Sequence, residues 1–169
     1  GTTTINIDTL GLSSSGDTLS AAVLNLGGVN TKTIRGNLNT GSAGILAIGT
    51  GDLLDMTGNG AVVLNGLTVN NDGTIQHGLT FSNLQMNNGT VLNNAGSYDF
   101  LTDIGITSSG GATINNSGFM AKLIGANNTI AITTNQLTGA GIDLISGNLT
   151  FTQGGSFDGT VTVNDAVGN

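Results

Sequence analysis

The chain contains no cysteine, no proline, no tryptophan and no glutamate. Without cysteine there is no disulfide framework, and with His77 as its single histidine the chain cannot assemble the usual zinc cage. Cysteine usage leaves the compartment open, since secreted coiled folds need no covalent staples. Basic residues are scarce as well: Lys32, Arg35 and Lys122 face ten aspartates, for a formal charge of −7. Phosphate backbones are held by clustered lysine and arginine, so nucleic acid is not an expected partner. No apolar run approaches the roughly 20 residues of a membrane span, and no basic-then-apolar export signal opens the chain. We therefore expect no membrane insertion, and read the sequence as a mature product or an excised segment. Also missing are capped stretches with apolar residues at helical spacing. Asparagine, threonine and aspartate, all abundant, favour turns and strands over helix interiors. At 37% hydrophobic and only 8% charged, the chain has enough apolar material to fold and too little charge for a solvated disordered polymer. Its 169 residues suit a single all-β domain.

What the chain does have is a repeat. The phrases AAVLNLGG, GILAIGTG, GLTVNNDG, GTVLNNAG, GATINNSG and TNQLTGAG close on Gly28, Gly51, Gly73, Gly96, Gly118 and Gly141, which step by 23, 22, 23, 22 and 23 residues. Four positions before these glycines stand Leu24, Ala47, Val69, Leu92, Ile114 and Leu137. An apolar residue at fixed distance from a glycine corner is what one turn of a parallel β-solenoid requires: a side chain pointed inward, then a change of direction. The spacing predicts about 22–23 residues per coil and six to seven coils. Residues 1–20 read as an N-terminal irregular coil, 21–145 as regular coils, and 146–169 as a final irregular coil or a hairpin, because LTFTQGG and SFDGTVTVN alternate with period two.

In a parallel solenoid equivalent residues of successive coils stack about 4.8 Å apart. Asn70, Asn93 and Asn115 form one such column and Asn71, Asn94 and Asn116 another, and stacked amides hydrogen-bond along the axis as side chains do in cross-β ladders. A second glycine column, Gly44, Gly66, Gly89 and Gly111, opens the strand that leads into this corner and permits positive φ there. Four residues after the corner glycines come Lys32, Asp55 and His77, expected side by side on an outward face, where opposite charges on neighbouring strands help modestly.

The same columns do not assemble a reactive centre. Glycoside hydrolysis needs two carboxylates roughly 5–10 Å apart, and Asp52, Asp55, Asp72, Asp99, Asp103 and Asp143 fall in different columns of this alignment. Lys32, Arg35 and Asp55 are the nearest approach to a mixed cluster. Tyr98 and the phenylalanines Phe81, Phe100, Phe119, Phe151 and Phe157 are expected mostly in core or corner packing rather than as sugar platforms. The calcium-binding GGxGxDxUx nonapeptide is not repeated, which disfavours a calcium roll while leaving isolated calcium sites compatible with the aspartates. GxxxxGK[ST], HExxH and GxSxG are missing. Threonine does not recur in register as a flat ice-binding face would need. Asn88, Asn115, Asn127 and Asn148 fit Asn-x-Ser/Thr, as chance allows in so Asn- and Thr-rich a chain. No catalytic residue, metal ligand or cofactor is assigned, and the chain is expected not to be an enzyme.

The corners NNDGTI, NNAGSY and NNSGFM, set between short strands of valine, leucine and isoleucine, resemble those of the right-handed β-helical shafts of bacterial secreted adhesins, such as autotransporter passengers and filamentous-haemagglutinin-like proteins. The likeness covers about residues 21–145 and brings no family site residues with it. It implies a right-handed coil, an extracellular or bacterial cell-surface location, and a structural or adhesive role as a shaft or a fibre subunit of an extracellular matrix. Expected partners are other copies joined end to end through TTTINID and GTVTVND, neighbouring surface domains, or surface glycans. Two alternatives stay open: a carbohydrate-active β-helix (polysaccharide lyase or hydrolase), and a curli-like functional amyloid, although the regular glutamines of curlin repeats are missing.

Overall fold

The computed structural model describes residues 37–163 throughout and, before them, the strands Thr4–Ile7, Gly11–Leu12, Thr18–Leu19, Val23–Leu26 and Thr31–Ile34; side chains are described for residues 44–163. Among the described residues there is no helix, and the strands form a twelve-stranded and an eight-stranded sheet. Every strand pairing in both is parallel. The fold is a parallel β-solenoid of about five turns with about 22 residues per turn. That is slightly fewer than the six to seven expected.

A central coil uses three strands. Thr74–Leu79 belongs to the eight-stranded sheet, and Leu84–Asn87 and Thr90–Asn94 to the twelve-stranded one. Side chains alternate inward and outward, so Thr90–Asn94 and Ala112–Asn116 both bury their first, third and fifth residues. Absence of proline matters here, because every strand interior must donate to the next coil. The interior is filled by stacked columns: Leu46, Val69, Leu92 and Ile114 on one wall, and Leu54, Ile75, Tyr98, Met120 and Ile142 on the other. Leu24 pairs with Leu46, so Leu24, Val69, Leu92 and Ile114 lie in line.

Three alignments need correction. Leu24 pairs with Leu46 and not Ala47, Ile114 pairs with Thr134 and not Leu137, and Gly44 pairs with Leu67 rather than Gly66. The corners Asp72–Gly73, Ala95–Gly96 and Ser117–Gly118 have two residues, whereas 49–52 and 137–140 have four, each closed by a turn in which the fourth amide bonds the first carbonyl (Asp52 N to Gly49 O, 3.0 Å; Ala140 N to Leu137 O, 3.0 Å). The third residue of each long corner is a glycine at positive φ, Gly51 at 85° and Gly139 at 86°. Gly51 therefore does not stack on Gly73; Asp52 holds that place, since Leu53 pairs with Thr74. Gly141 likewise pairs with Phe119, and Leu137 sits on the corner, 41% exposed. Gly28 lies outside the described residues. At the C-terminal side, Asn148–Phe151 and Thr160–Val163 pair in parallel with the coil before them, so this segment is a further coil and not a hairpin.

Candidate functional site

Where a polar side chain enters the interior, its position in the coil explains why. Asn71, Asn94 and Asn116 are the last strand residues before the two-residue corner, where backbone groups turn away from the sheets and need partners. Asn71 Nδ2 donates to Asn94 Oδ1 (2.6 Å) and to the Ser97 carbonyl (2.9 Å), and its Oδ1 accepts from the Gly73 amide (3.2 Å). Asn94 Nδ2 donates to Asn116 Oδ1 (2.6 Å) and the Phe119 carbonyl (2.8 Å). Asn116 Nδ2 donates to Gln136 Oε1 (2.8 Å). Gln136, unassigned from sequence, is thus the ladder's last rung; its Nε2 is buried without a partner. The neighbouring column is a second, half-buried ladder in which Asn93 donates to Asn70, Asn115 to Asn93 and Asn135 to Asn115 at 2.9–3.0 Å. None of these ladder asparagines has positive φ; Asn88 alone does among the described non-glycine residues. The corner glycines serve space: a β-carbon on Gly96 would run into the Gly73 carbonyl, and one on Gly118 into that of Gly96.

The Lys32, Asp55 and His77 column does not form. Lys32 pairs with Leu54, Thr33 with Asp55, and Asp55 with Gln76. His77 follows Met56 and precedes Phe100, Lys122 and Leu144 in a column that points into the core, and both His77 and Lys122 are fully buried. The error is a slip of one residue after the long corner at 49–52, which in a strand exchanges inside for outside. His77 Nδ1 lies 2.9 Å from the Tyr98 hydroxyl, and its ring packs 5.3 Å from Phe100 between centroids. Burial first, and the Lys122 charge second, hold its pKa down from 6.5 to about 3. Burial pushes the Tyr98 hydroxyl up from its ordinary 10. The pair is sealed from solvent and has no access to a substrate.

Lys122 reaches from the core to a corner, where Nζ donates to the Thr102 carbonyl (2.9 Å), to the Ile124 carbonyl and to Asp103 Oδ1 (3.2 Å). Asp103, half exposed, also accepts from the Ala126 and Asn127 amides (2.5 and 3.1 Å), and the Lys122 hydrogen bond leads in holding its carboxyl below the ordinary value. The ion pair closes a corner across two coils. Arg35 lies outside the described residues.

The aspartates are less scattered than the sequence suggested. Asp55, Gln76, Asp99, Ala121 and Asp143 make one outward column of the eight-stranded sheet, placing a carboxylate on every second coil, about 9.6 Å apart at the usual strand spacing. Ser97 Oγ donates to Asp99 Oδ1 at 2.6 Å. Asp52, Asp72 and Asp103 lie at corners. Among the described residues no three His, Cys, Asp or Glu side chains come together to hold a metal ion. Of the phenylalanines, Phe100 is buried and Phe151 packs against the core, whereas Phe81, Phe119 and Phe157 are exposed. Phe119 lies over Gly141, where a β-carbon would come within 2.9 Å of its ring. Of the Asn-x-Ser/Thr asparagines, Asn88, Asn115 and Asn148 each donate to an asparagine of the preceding coil.

Comparison with protein-family models, curated proteins and solved structures finds no match to this chain.

Proposed function

We propose that the chain is a non-enzymatic structural or adhesive β-solenoid of a bacterial cell surface or extracellular matrix, an adhesin shaft or a fibre subunit. The observation that carries this reading is the pair of amide ladders running coil to coil from Asn70 and Asn71 to Asn135 and Gln136. They commit the most regular polar side chains to cohesion along the axis. The resemblance of the NNxG corners to those of adhesin shafts supplies the location. Copies join end to end, or the coil packs on neighbouring surface domains, since a solenoid's terminal coils offer strand edges that invite pairing. Antibody labelling of intact producer cells tests the location: labelling without permeabilisation is expected, and labelling only after permeabilisation overturns the reading. Sedimentation and electron microscopy test the fibre version, which a concentration-independent monomer defeats while the shaft survives.

A second reading, a carbohydrate-active β-helix, is favoured by the shared column of Asp55, Asp99 and Asp143. Their spacing of about 9.6 Å lies at the upper edge of the roughly 6.5–9.5 Å that inverting hydrolysis uses. A polysaccharide panel with and without calcium decides: product release abolished by Asp99→Asn replaces the structural reading.

A further inference from the structure

The corner between the two strands that each coil gives to the twelve-stranded sheet varies in length. From Thr107 to Ala112 the connection takes four residues, Ser108–Gly111; one coil on, from Ile130 to Thr133, it takes only Ala131 and Ile132. On the next coil Phe151 pairs with Ile130 and Phe157 bridges to Gln136, an unchanged offset, so that corner is as short as the one before it. A short corner beside a longer one is set back. The Ala131 amide is held to the Ile106 carbonyl at 2.8 Å, and a recess of about 220 Å³ opens above it. Its floor is Ala131, Ile132 and Thr133, with Gly111 and Ala112 on one side and Gln153 on the other. Gly111 has positive φ (79°) and no atom within 4 Å of a would-be β-carbon, so this lip carries no side chain and stays open.

The lining specifies a chemical class. No charged side chain belongs to it. Ala131 gives a small aliphatic patch, Thr133 and Gln153 give neutral groups that both donate and accept, and Ser108 Oγ, without a hydrogen-bond partner, is buried behind the wall. At about 30 Å³ per water the volume equals roughly seven waters, room for one sugar ring. A sugar offers a C–H face to Ala131 and hydroxyls to Thr133 and Gln153 at the rim. We propose that this recess binds one neutral sugar residue of a surface glycan. It rests on the adhesive side of the function proposed above and gives it a ligand.

Titration of the ¹⁵N-labelled full chain with glucose, galactose and N-acetylglucosamine, followed by amide shifts, tests the proposal. At least one sugar is expected to move the Gly111, Ala131 and Ile132 amides saturably in the millimolar range. Ala131→Trp, which fills the recess, is expected to abolish the shifts, and Gln153→Ala, on an exposed side chain, to weaken binding about five- to tenfold. Glucuronate is expected to bind more weakly than the neutral sugars. No saturable shift at these amides with any of the three sugars overturns the proposal, as do shifts that persist in both folded variants or tighter binding of glucuronate. The readout is contact in solution and not surface display, so this proposal and the surface role can fail separately.

Discussion

Asn94 shows how much one side chain does in this architecture: it accepts from Asn71 and donates to Asn116 and to the Phe119 carbonyl, all away from water. Asn94→Ala leaves buried partners unmet on two neighbouring coils and is expected to cost about 2–4 kcal/mol, against about 0.5–1 for Asn93→Ala on the half-buried ladder, by urea unfolding at pH 7. Equal costs would mean that the inner ladder is not sealed. His77 makes a second prediction. Its folded pKa of about 3 lies below the unfolded 6.5, so above pH 6.5 neither state binds the proton, and below it the unfolded chain takes up a proton that the native state refuses. Stability should therefore fall as pH drops from 6.5 toward 3, by up to about 1.4 kcal/mol per pH unit. Asp103 acts in a lower window: its depressed carboxyl contributes above the unfolded value near 3.8 and is lost below it. Because His77 is the single histidine, urea midpoints between pH 6.5 and 4.5 isolate it. The double variant His77→Phe/Tyr98→Phe, which leaves no orphan hydroxyl, should be flat across that range, and an unchanged slope would refute the assignment. The asparagine ladders could be read from the sequence because identical residues recur at constant distance. Gln136 could not, because it stands in the asparagine column as a different amide after a shortened coil. His77 was misplaced because polarity alone argues for the surface, while its fit inside depends on Tyr98 and Phe100, which no local pattern announces.

At the scale of strands and corners, glycine has two jobs here that the sequence writes with one letter. Gly96 needs room, since its carbon sits against the Gly73 carbonyl, whereas Gly89 needs positive φ (75°) and has nothing within 4 Å of an added β-carbon. Gly96→Ala is accordingly expected to be severe, more than about 3 kcal/mol or failure to fold, because the overlap falls on backbone. Gly89→Ala should cost only about 1–2 kcal/mol, the price of a left-handed residue. Thermal melts of the two variants separate these mechanisms; similar losses would contradict the close stacking of corners. The strand phrases from Gly66 to Gly118 were legible because their corners all have two residues. The flanking phrases were not, because GTGD and LTGA make four-residue corners that keep a glycine near the right place while moving it out of the column. The outward aspartate column was hidden by the same slip, since Asp55 follows the first long corner.

The whole molecule is a stack in which each coil touches chiefly its neighbours, so cohesion is nearly one-dimensional and a weak coil is felt along the axis. The net charge of −7 sets repulsion between separate molecules at neutral pH. The period, the all-β class and the parallel stacking were all in the sequence; the varying corner lengths, which create the recess beside Ala131, were not, because a count of residues per coil does not say where along the coil they are gained or lost. In-register stacking is the claim on which ladder, columns and recess all depend, and the absence of cysteine makes it directly measurable. Asp55 and Thr162 occupy one outward column with five coil steps between them, about 24 Å at the usual strand spacing although 107 residues of chain separate them. Spin labels on Asp55→Cys/Thr162→Cys, read by double electron–electron resonance, should give a single narrow distance near about 24 Å, allowing for label length. A broad distribution, or one centred at roughly twice that length, would contradict the stack.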